Sequence, residues 1–269
     1  MMVYYLSYCD LRILQREGLK LEATIDKMYD WVENYIKSFY TEDRLVQEHI
    51  ELKEQHTYLV AKYCRQLASH LALAEHDVIL AEMIGLFHDI GRFRQFEIYK
   101  TFNDRKSENH SLLGLREIAD LVLLENLSAE DLAVFKFAIT NHNAIEIDSN
   151  GSERQQLFSK IIRDADKIDI YRVLEPTLVQ SSDDGYSEIF AKAFLEGKQC
   201  DYTYMKTTED RKLVRLLWLY NINYQWSMDQ IFSQGHFMKI AATLPENEIT
   251  VAGIKKLKAY LTEKYNINS

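Results

Sequence analysis

Neither of the two prolines of this 269-residue chain occurs before Pro176, and the chain contains only nine glycines. Proline and glycine are the residues that most often end or interrupt regular structure. Their scarcity, together with 47% hydrophobic residues, predicts long helices around a substantial core. We therefore predict an all-α protein, a helical bundle with a C-terminal helical extension.

The spacing of apolar residues predicts where the individual helices lie. The predicted segments are 21–40, 52–73, 78–90, a helix with His110 in its first turn, a helix from Ser128 to about Asn141–Asn143, and then 153–174, 188–195, 209–232 and 250–265. Met1–Gly18 fits either a strand or a short helix, and Arg92–Glu108 is expected to be a polar connection. Asp77 is the expected N-cap of the 78–90 helix.

A boundary is predicted near Pro176, which is followed by the turn-forming residues Ser181–Gly185. The resulting organisation is an N-terminal helical lead-in over residues 1–46, a core over 47–176 and a helical extension over 177–269 packed on the core. The apolar stripe within Arg211–Phe232 is predicted to be core, and a homodimer face is the alternative.

The adjacent pair His88–Asp89 ends an apolar run and is followed two residues later by Gly91. Neighbouring side chains on a helix point about 100° apart, so they serve one centre only where the helix ends. We expect Gly91 to take the left-handed conformation that lets the chain turn away there. An imidazole beside a carboxylate at a helix end is typical of a metal site.

Further candidate ligands are spread over other predicted helices: His56, His110, His142 and Asp166. Each histidine falls on a core-facing stripe or beside a helix end. Buried imidazoles and carboxylates are costly unless they are hydrogen-bonded or bind a metal, and helical bundles assemble metal sites from facing helices. The sequence therefore predicts a metal centre inside the bundle.

The arrangement H…HD…D resembles the HD-domain superfamily of metal-dependent phosphohydrolases, and Ala165–Asp169 (ADKID) is similar to the context of its final Asp. The additional His110 and His142 resemble the six-ligand H…HD…H…H…D branch. The resemblance covers about Gln47–Glu175, and the chain lacks the GYP tripeptide of the cyclic-dinucleotide branch.

The resemblance implies that His56, His88, Asp89 and Asp166 hold one ion, and that Asp89 bridges to a second ion held by His110 and His142. It implies Asp89 and His88 as catalytic residues. The expected cofactors are one or two divalent ions of Fe, Mn, Co, Ni or Zn, which suit mixed nitrogen and oxygen ligands, with Mg as a further option.

Three functions fit this resemblance. The first is hydrolysis of a phosphate ester of a nucleotide or another small metabolite by a metal-activated water. The second is the chemistry of the mixed-valent di-iron oxygenases of the same superfamily, and the third is non-catalytic nucleotide sensing. Arg92, Arg94, Lys106 and Lys167 are the expected phosphate-binding cations, although Arg92 and Arg94 would equally suit a solvated face.

The net charge of −9 argues against bulk nucleic-acid binding. No apolar run approaches the length of a membrane span, and the N-terminus lacks the basic region and cleavage site of a signal peptide. The cysteines, Cys9, Cys64 and Cys200, form no zinc-binding pattern. We therefore expect a reduced cytoplasmic protein, and the resemblance implies that it acts on a small phosphorylated substrate.

Overall fold

The computed structural model of the protein describes residues 8–179 and 185–267, and all regular structure within these ranges is helical. The prediction of an all-α protein is confirmed. The chain forms two compact units, residues 1–166 and residues 167–269. Within the described ranges, no helix is both long enough and apolar enough to cross a membrane.

The first unit contains α1 (Tyr8–Lys37), α2 (Arg44–His70), α3 (Glu75–Phe87), α4 (Gly91–Tyr99), α5 (His110–Glu117), α6 (Ala129–Asn141) and the first half of α7 (Glu153–Leu178). Helix α3 is buried from Val78 to Phe87 and packs against α1, α2 and α6. A helix that is apolar on every side belongs in a core, and α3 carries the His88–Asp89 pair at its end.

Two glycines allow the helices around this pair to approach closely. A Cβ atom on Gly85 would lie 2.7 Å from the Cα atom of Ala61, where α3 crosses α2. A Cβ atom on Gly91 would lie 2.2 Å from the carbonyl oxygen of His110 and 2.5 Å from the nitrogen of Gly114. Glycine at both positions therefore sets how near α2 and α5 come to the HD pair.

The predicted role of Gly91 is wrong. The polar connection predicted over Arg92–Glu108 is wrong for Arg92–Tyr99, which belongs to α4, and agrees with the structure from Lys100 onward. The chain passes from α3 to α4 through His88–Ile90 in right-handed geometry, with φ −56° and ψ −39° at His88, and Gly91 begins α4. Gly91 is needed for its contact with α5, which the linear sequence does not reveal. The predicted N-cap Asp77 also lies inside the first turn of α3, because the N-cap is Ala74.

Other predicted helix ends agree with the structure. Asn109 caps α5 by accepting hydrogen bonds from the backbone N–H groups of Ser111 and Leu112, so His110 is the first helical residue. Ser128 caps α6 in the same way through Asp131. Of the ambiguous Met1–Gly18 segment, the part from Tyr8 onward is helical and the remainder lies outside the described residues.

The second unit contains the end of α7 and then α8 (Glu188–Glu196), α9 (Thr208–Leu217), α10 (Gln225–Gln234), α11 (His236–Ala242) and α12 (Glu248–Tyr265). Helix α7 continues through Pro176 to Leu178, although a proline there removes one backbone donor and crowds the carbonyl group four residues earlier. Positions 180–184 of the predicted turn lie outside the described residues. The domain limits predicted from the sequence stay a prediction.

The single helix predicted over residues 209–232 is wrong, because the chain is broken between α9 and α10. A 3₁₀ turn spans Trp218–Asn221, and the backbone is then extended at Ile222 and Tyr224. Leu213, Leu217 and Ile231 are buried within this unit, which favours the core interpretation of their stripe over a homodimer face. The homodimer stays a prediction.

Candidate metal centre

The six predicted ligands come from five parts of the first unit. His56 lies in α2, the HD pair in the turn after α3, His110 at the start of α5, His142 directly after α6, and Asp166 in α7. The four histidines and Asp89 are buried, whereas 25% of the Asp166 side chain is exposed. Access from solvent is therefore on the side of Asp166.

The carboxylate of Asp89 lies between two halves of this set. Its Oδ2 atom is 3.6 Å from Nε2 of His56 and 3.7 Å from Nε2 of His88. Its Oδ1 atom is 3.2 Å from Nε2 of His110 and 3.7 Å from Nε2 of His142. Asp166 joins the first half, with its Oδ1 atom 3.2 Å from Nε2 of His56. The structure thus brings all six side chains together around Asp89.

The imidazole rings are oriented by acceptors on their outer nitrogens. His88 donates from Nδ1 to the Gly85 carbonyl oxygen at 2.7 Å, and His142 donates from Nδ1 to the Ile139 carbonyl oxygen at 2.7 Å. Because a carbonyl only accepts, each Nδ1 carries the proton and each Nε2 presents a lone pair to the centre. Nδ1 of His110 meets Oδ2 of Asp104 at 2.7 Å, which fixes its tautomer in the same way.

These lone pairs fit a bound cation. Nε2 of His88 is buried without a hydrogen-bond partner in the described part of the chain. Nε2 of His110 lies 2.9 Å from Nε2 of His142, although the protons of both rings are engaged at Nδ1. Two facing lone pairs repel each other, whereas a metal ion accepts both. The donor set therefore fits divalent transition metals.

The protonation states agree with this interpretation. Burial lowers the pKa of His88 to about 3 and also lowers the pKa of His110, so both imidazoles are neutral at pH 7. Burial raises the pKa of Asp89, but the charge of Lys53 and the neighbouring histidines outweigh burial and hold this pKa well below its usual value. Neutral imidazoles and an ionised carboxylate are the forms that bind metals.

Two cations lie next to Asp89, one beside each oxygen. Arg92 Nε is 3.5 Å from Oδ1, while its Nη1 atom donates to Asp104 at 2.7 Å and to the Phe102 carbonyl oxygen at 2.6 Å. Lys53 Nζ is 2.7 Å from Oδ2. Arg92, which was predicted from the sequence, therefore lies beside Asp89. Lys53, which was not predicted, lies there as well.

Two of the other predicted substrate-binding cations, Arg94 and Lys106, do not contact Asp89 in the described part of the chain. Arg94 pairs with Glu97 and Glu117 and lies over the Phe39 ring. Lys106 is exposed in the segment between α4 and α5. Lys167 follows Asp166 in α7 and belongs to the second unit, so its role stays a prediction.

Residues flanking the ligands mainly support the backbone. Arg163 donates to the carbonyl oxygens of Asn141 at 2.9 Å and Ile145 at 3.0 Å, which secures the chain on both sides of His142. Asn141 donates from Nδ2 to the Phe137 carbonyl oxygen at 2.9 Å in the last turn of α6, and its Oδ1 accepts from the backbone N–H of Asp148 at 2.9 Å. Asn143 instead donates to Asp104 Oδ2 at 3.1 Å, beside His110.

Sequence reasoning missed Lys53 and Asp104. Lys53 precedes His56 by three residues on α2, so the i, i+3 spacing could have placed both on one face of the helix. Asp104 lies in the segment between α4 and α5, where it accepts hydrogen bonds from Arg92, Gln95, His110 and Asn143. No periodic signal predicts such a loop position.

Comparison with known proteins assigns this part of the chain to a family. Residues 54–171 match the HD domain, and this segment contains all six candidate ligands. Neither a search of curated proteins nor a search of solved structures found a match. The all-α fold is that of the HD domain, which agrees with the resemblance seen in the sequence. Residues 54–171 are therefore an HD domain.

Proposed function

We propose that the chain is a metal-dependent phosphohydrolase of the six-ligand HD type, which cleaves a phosphate ester of a nucleotide or another small metabolite. The observation that carries this proposal is the position of the Asp89 carboxylate, whose Oδ2 faces His56 and His88 while its Oδ1 faces His110 and His142. A carboxylate with candidate ligands on both sides suits a centre of two ions.

His56, His88 and Asp166 would hold one ion together with Oδ2 of Asp89, and His110 and His142 would hold the other with Oδ1. Four imidazoles and two carboxylates suit Mn, Fe, Co, Ni or Zn better than Mg, which prefers oxygen ligands. Divalent ions, when bound, supply Lewis acidity that activates water as a nucleophile and offsets negative charge on a phosphoryl group.

The side chains around the ligands determine how a substrate would approach. Asp166 is 25% exposed whereas the other five ligands are buried, so we assign the approach of a small molecule to its side. The Nη1 atom of Arg92 donates hydrogen bonds to Asp104 and to the Phe102 carbonyl oxygen, so the guanidinium is oriented before an anion binds. We assign Arg92 to the phosphoryl group, because a planar guanidinium can donate two parallel hydrogen bonds to phosphate. Lys106 and Lys167 are retained as further proposed contacts.

A di-iron oxygenase is the second candidate, because the same six nitrogen and oxygen donors also suit iron. Its discriminating property is consumption of O₂ by the iron-loaded protein. A purely nucleotide-sensing protein is a weaker candidate, since sensing does not need a complete set of six oriented ligands.

The test is a panel of nucleotides and other phosphate esters incubated without O₂ with protein loaded separately with Mn²⁺, Fe²⁺ and Zn²⁺. We expect metal-dependent release of phosphate from at least one ester, loss of this activity in Asp89→Ala, and full activity in the exposed control Asp120→Ala. Absence of hydrolysis over the whole panel, combined with O₂ consumption by the iron form, would favour the oxygenase instead.

A further inference from the structure

Among the described residues, Lys53 is a buried cation beside Asp89 to which neither the sequence pattern nor the proposed ligand set gives a function. Its side chain is 9% exposed, and its Nζ atom lies 2.7 Å from Oδ2 of Asp89. The aromatic face of Phe102 is 5.7 Å away on another side. An ammonium in such a position loses most of its hydration, which is costly unless anionic partners replace the water.

The ammonium of Lys53 has hydrogen-bonding capacity left over. It carries three N–H donors, and within the described residues its one hydrogen-bond acceptor is Asp89. The Phe102 ring attracts the charge but accepts no conventional hydrogen bond. Two donors therefore remain for another anionic or polar oxygen at the Oδ2 side of Asp89.

The charge balance indicates what would satisfy these donors. Asp89, Asp104 and Asp166 contribute three negative charges, and Lys53 and Arg92 contribute two positive charges. Two divalent ions would make the centre strongly positive, and they would also compete with Lys53 for Asp89. A bound anion with several oxygens then offsets most of this positive charge and offers new acceptors to the ammonium.

We propose that Lys53 is a substrate-binding residue that donates a hydrogen bond to a phosphoryl oxygen, opposite Arg92 across the Asp89 carboxylate. This inference rests on the proposed phosphohydrolase function and adds the residue that complements Arg92. The two cations differ in position: Arg92 approaches Oδ1, whereas Lys53 approaches Oδ2. A phosphoryl group between them would meet one donor from α2 and another from α4.

The alternative role for Lys53 is structural, namely to hold the Asp89 carboxylate in place for metal binding. Two substitutions distinguish this role from phosphate binding. Lys53→Gln keeps an N–H donor for Asp89 but removes the positive charge, whereas Lys53→Arg keeps the charge. Lys62→Met, which removes an exposed lysine from the same helix, is the matched control. Each protein is loaded with Mn²⁺, its metal content is measured, and inorganic phosphate is titrated by calorimetry.

We expect Lys53→Gln to retain the metal content of the wild type and to bind phosphate at least tenfold more weakly, with most of the affinity recovered in Lys53→Arg. Unchanged phosphate affinity in Lys53→Gln would overturn the proposal. Loss of metal from Lys53→Gln would also overturn it and would show that Lys53 holds Asp89 in place for metal binding. If the wild type cleaves phosphate esters, the proposed function survives either result. If the wild type neither binds phosphate nor cleaves any ester, both proposals fail.

Discussion

Nδ1 of His110 lies 2.7 Å from Oδ2 of Asp104, so a carboxylate outside the ligand set orients the first residue of α5. Burial raises the pKa of Asp104, but its hydrogen bond with His110 and the charge of Arg92 outweigh burial and lower this pKa. The carboxylate therefore stays ionised at pH 7 and keeps the His110 proton on Nδ1. Carboxylates in this position tune both the orientation and the basicity of a metal-binding imidazole.

We predict that Asp104→Ala weakens metal binding at the His110–His142 half of the centre by about 10- to 100-fold. Binding at the His56–Asp166 half is expected to change little, because those ligands do not contact Asp104. Calorimetric titration of metal-free protein measures both affinities, and Asp120→Ala removes an exposed carboxylate as the control. Two unchanged affinities in Asp104→Ala would show that Asp104 does not orient His110.

The close contact between Gly91 and Gly114 gives a second, graded prediction. A methyl group on Gly91 would overlap backbone atoms at 2.2 and 2.5 Å, whereas one on Gly114 meets its nearest atoms at 3.0 Å. We expect Gly91→Ala to lower the free energy of unfolding by about 1–3 kcal/mol or more and to reduce metal content. Gly114→Ala should have the smaller effect. Urea unfolding measures the stability of both variants. Equal stability of the wild type, Gly91→Ala and Gly114→Ala would contradict the packing described for α4 and α5.

Arg92 and Arg94 are separated in sequence by one residue but have different surroundings, and this predicts different kinetics. Arg92 pairs with Asp104 and lies beside the candidate ligand Asp89, whereas Arg94 pairs with Glu97 and Glu117, which are not candidate ligands. For any phosphate ester that the protein cleaves, Arg92→Ala should raise KM at least tenfold, equivalent to about 1.4 kcal/mol, with metal content unchanged. Arg94→Ala should leave KM within about twofold of the wild type. The reverse pattern would place the phosphate-binding site elsewhere.

The free cysteines give a prediction about pH. Burial raises the pKa of the half-buried Cys200 to about 11 and that of the fully buried Cys64 well above its usual value. A thiol with pKa near 11 instead of 9 holds about 100 times less thiolate at pH 8, so alkylation of native Cys200 should be slower by a similar factor. Its rate should rise until the pH reaches about 11. Peptide mass spectrometry after iodoacetamide treatment measures the rate, and equally fast alkylation of native and denatured protein would contradict the burial.

Much of the first unit could be predicted because its signals are local. The apolar run into His88, the N-cap at Asn109 and the helical spacing around His56 each depend on a few neighbouring residues. The errors arise where a distant contact decides the local structure. A glycine after an apolar helical run usually indicates a helix end. Gly91 instead begins α4, at the point where α5 packs against it.

The same limit explains which site residues were missed. The six candidate ligands could be proposed because their order along the chain resembles that of the HD-domain superfamily. Asp104 and Lys53 contact those residues only after the chain has folded. In the sequence they look like any other charged residues, most of which lie on exposed surfaces. Their function depends on distances to His110 and Asp89 that no spacing in the sequence expresses.

The central claim is that two ions share the carboxylate of Asp89, and the metal-to-protein ratio of His142→Ala tests it most directly. His142 follows the end of α6 and faces Oδ1 of Asp89, so its removal should disturb only one half of the centre. Elemental analysis under metal-replete conditions should give about two ions per chain in the wild type and about one in the folded variant. A ratio of one in the wild type, or an unchanged ratio in His142→Ala, would contradict the two-ion account.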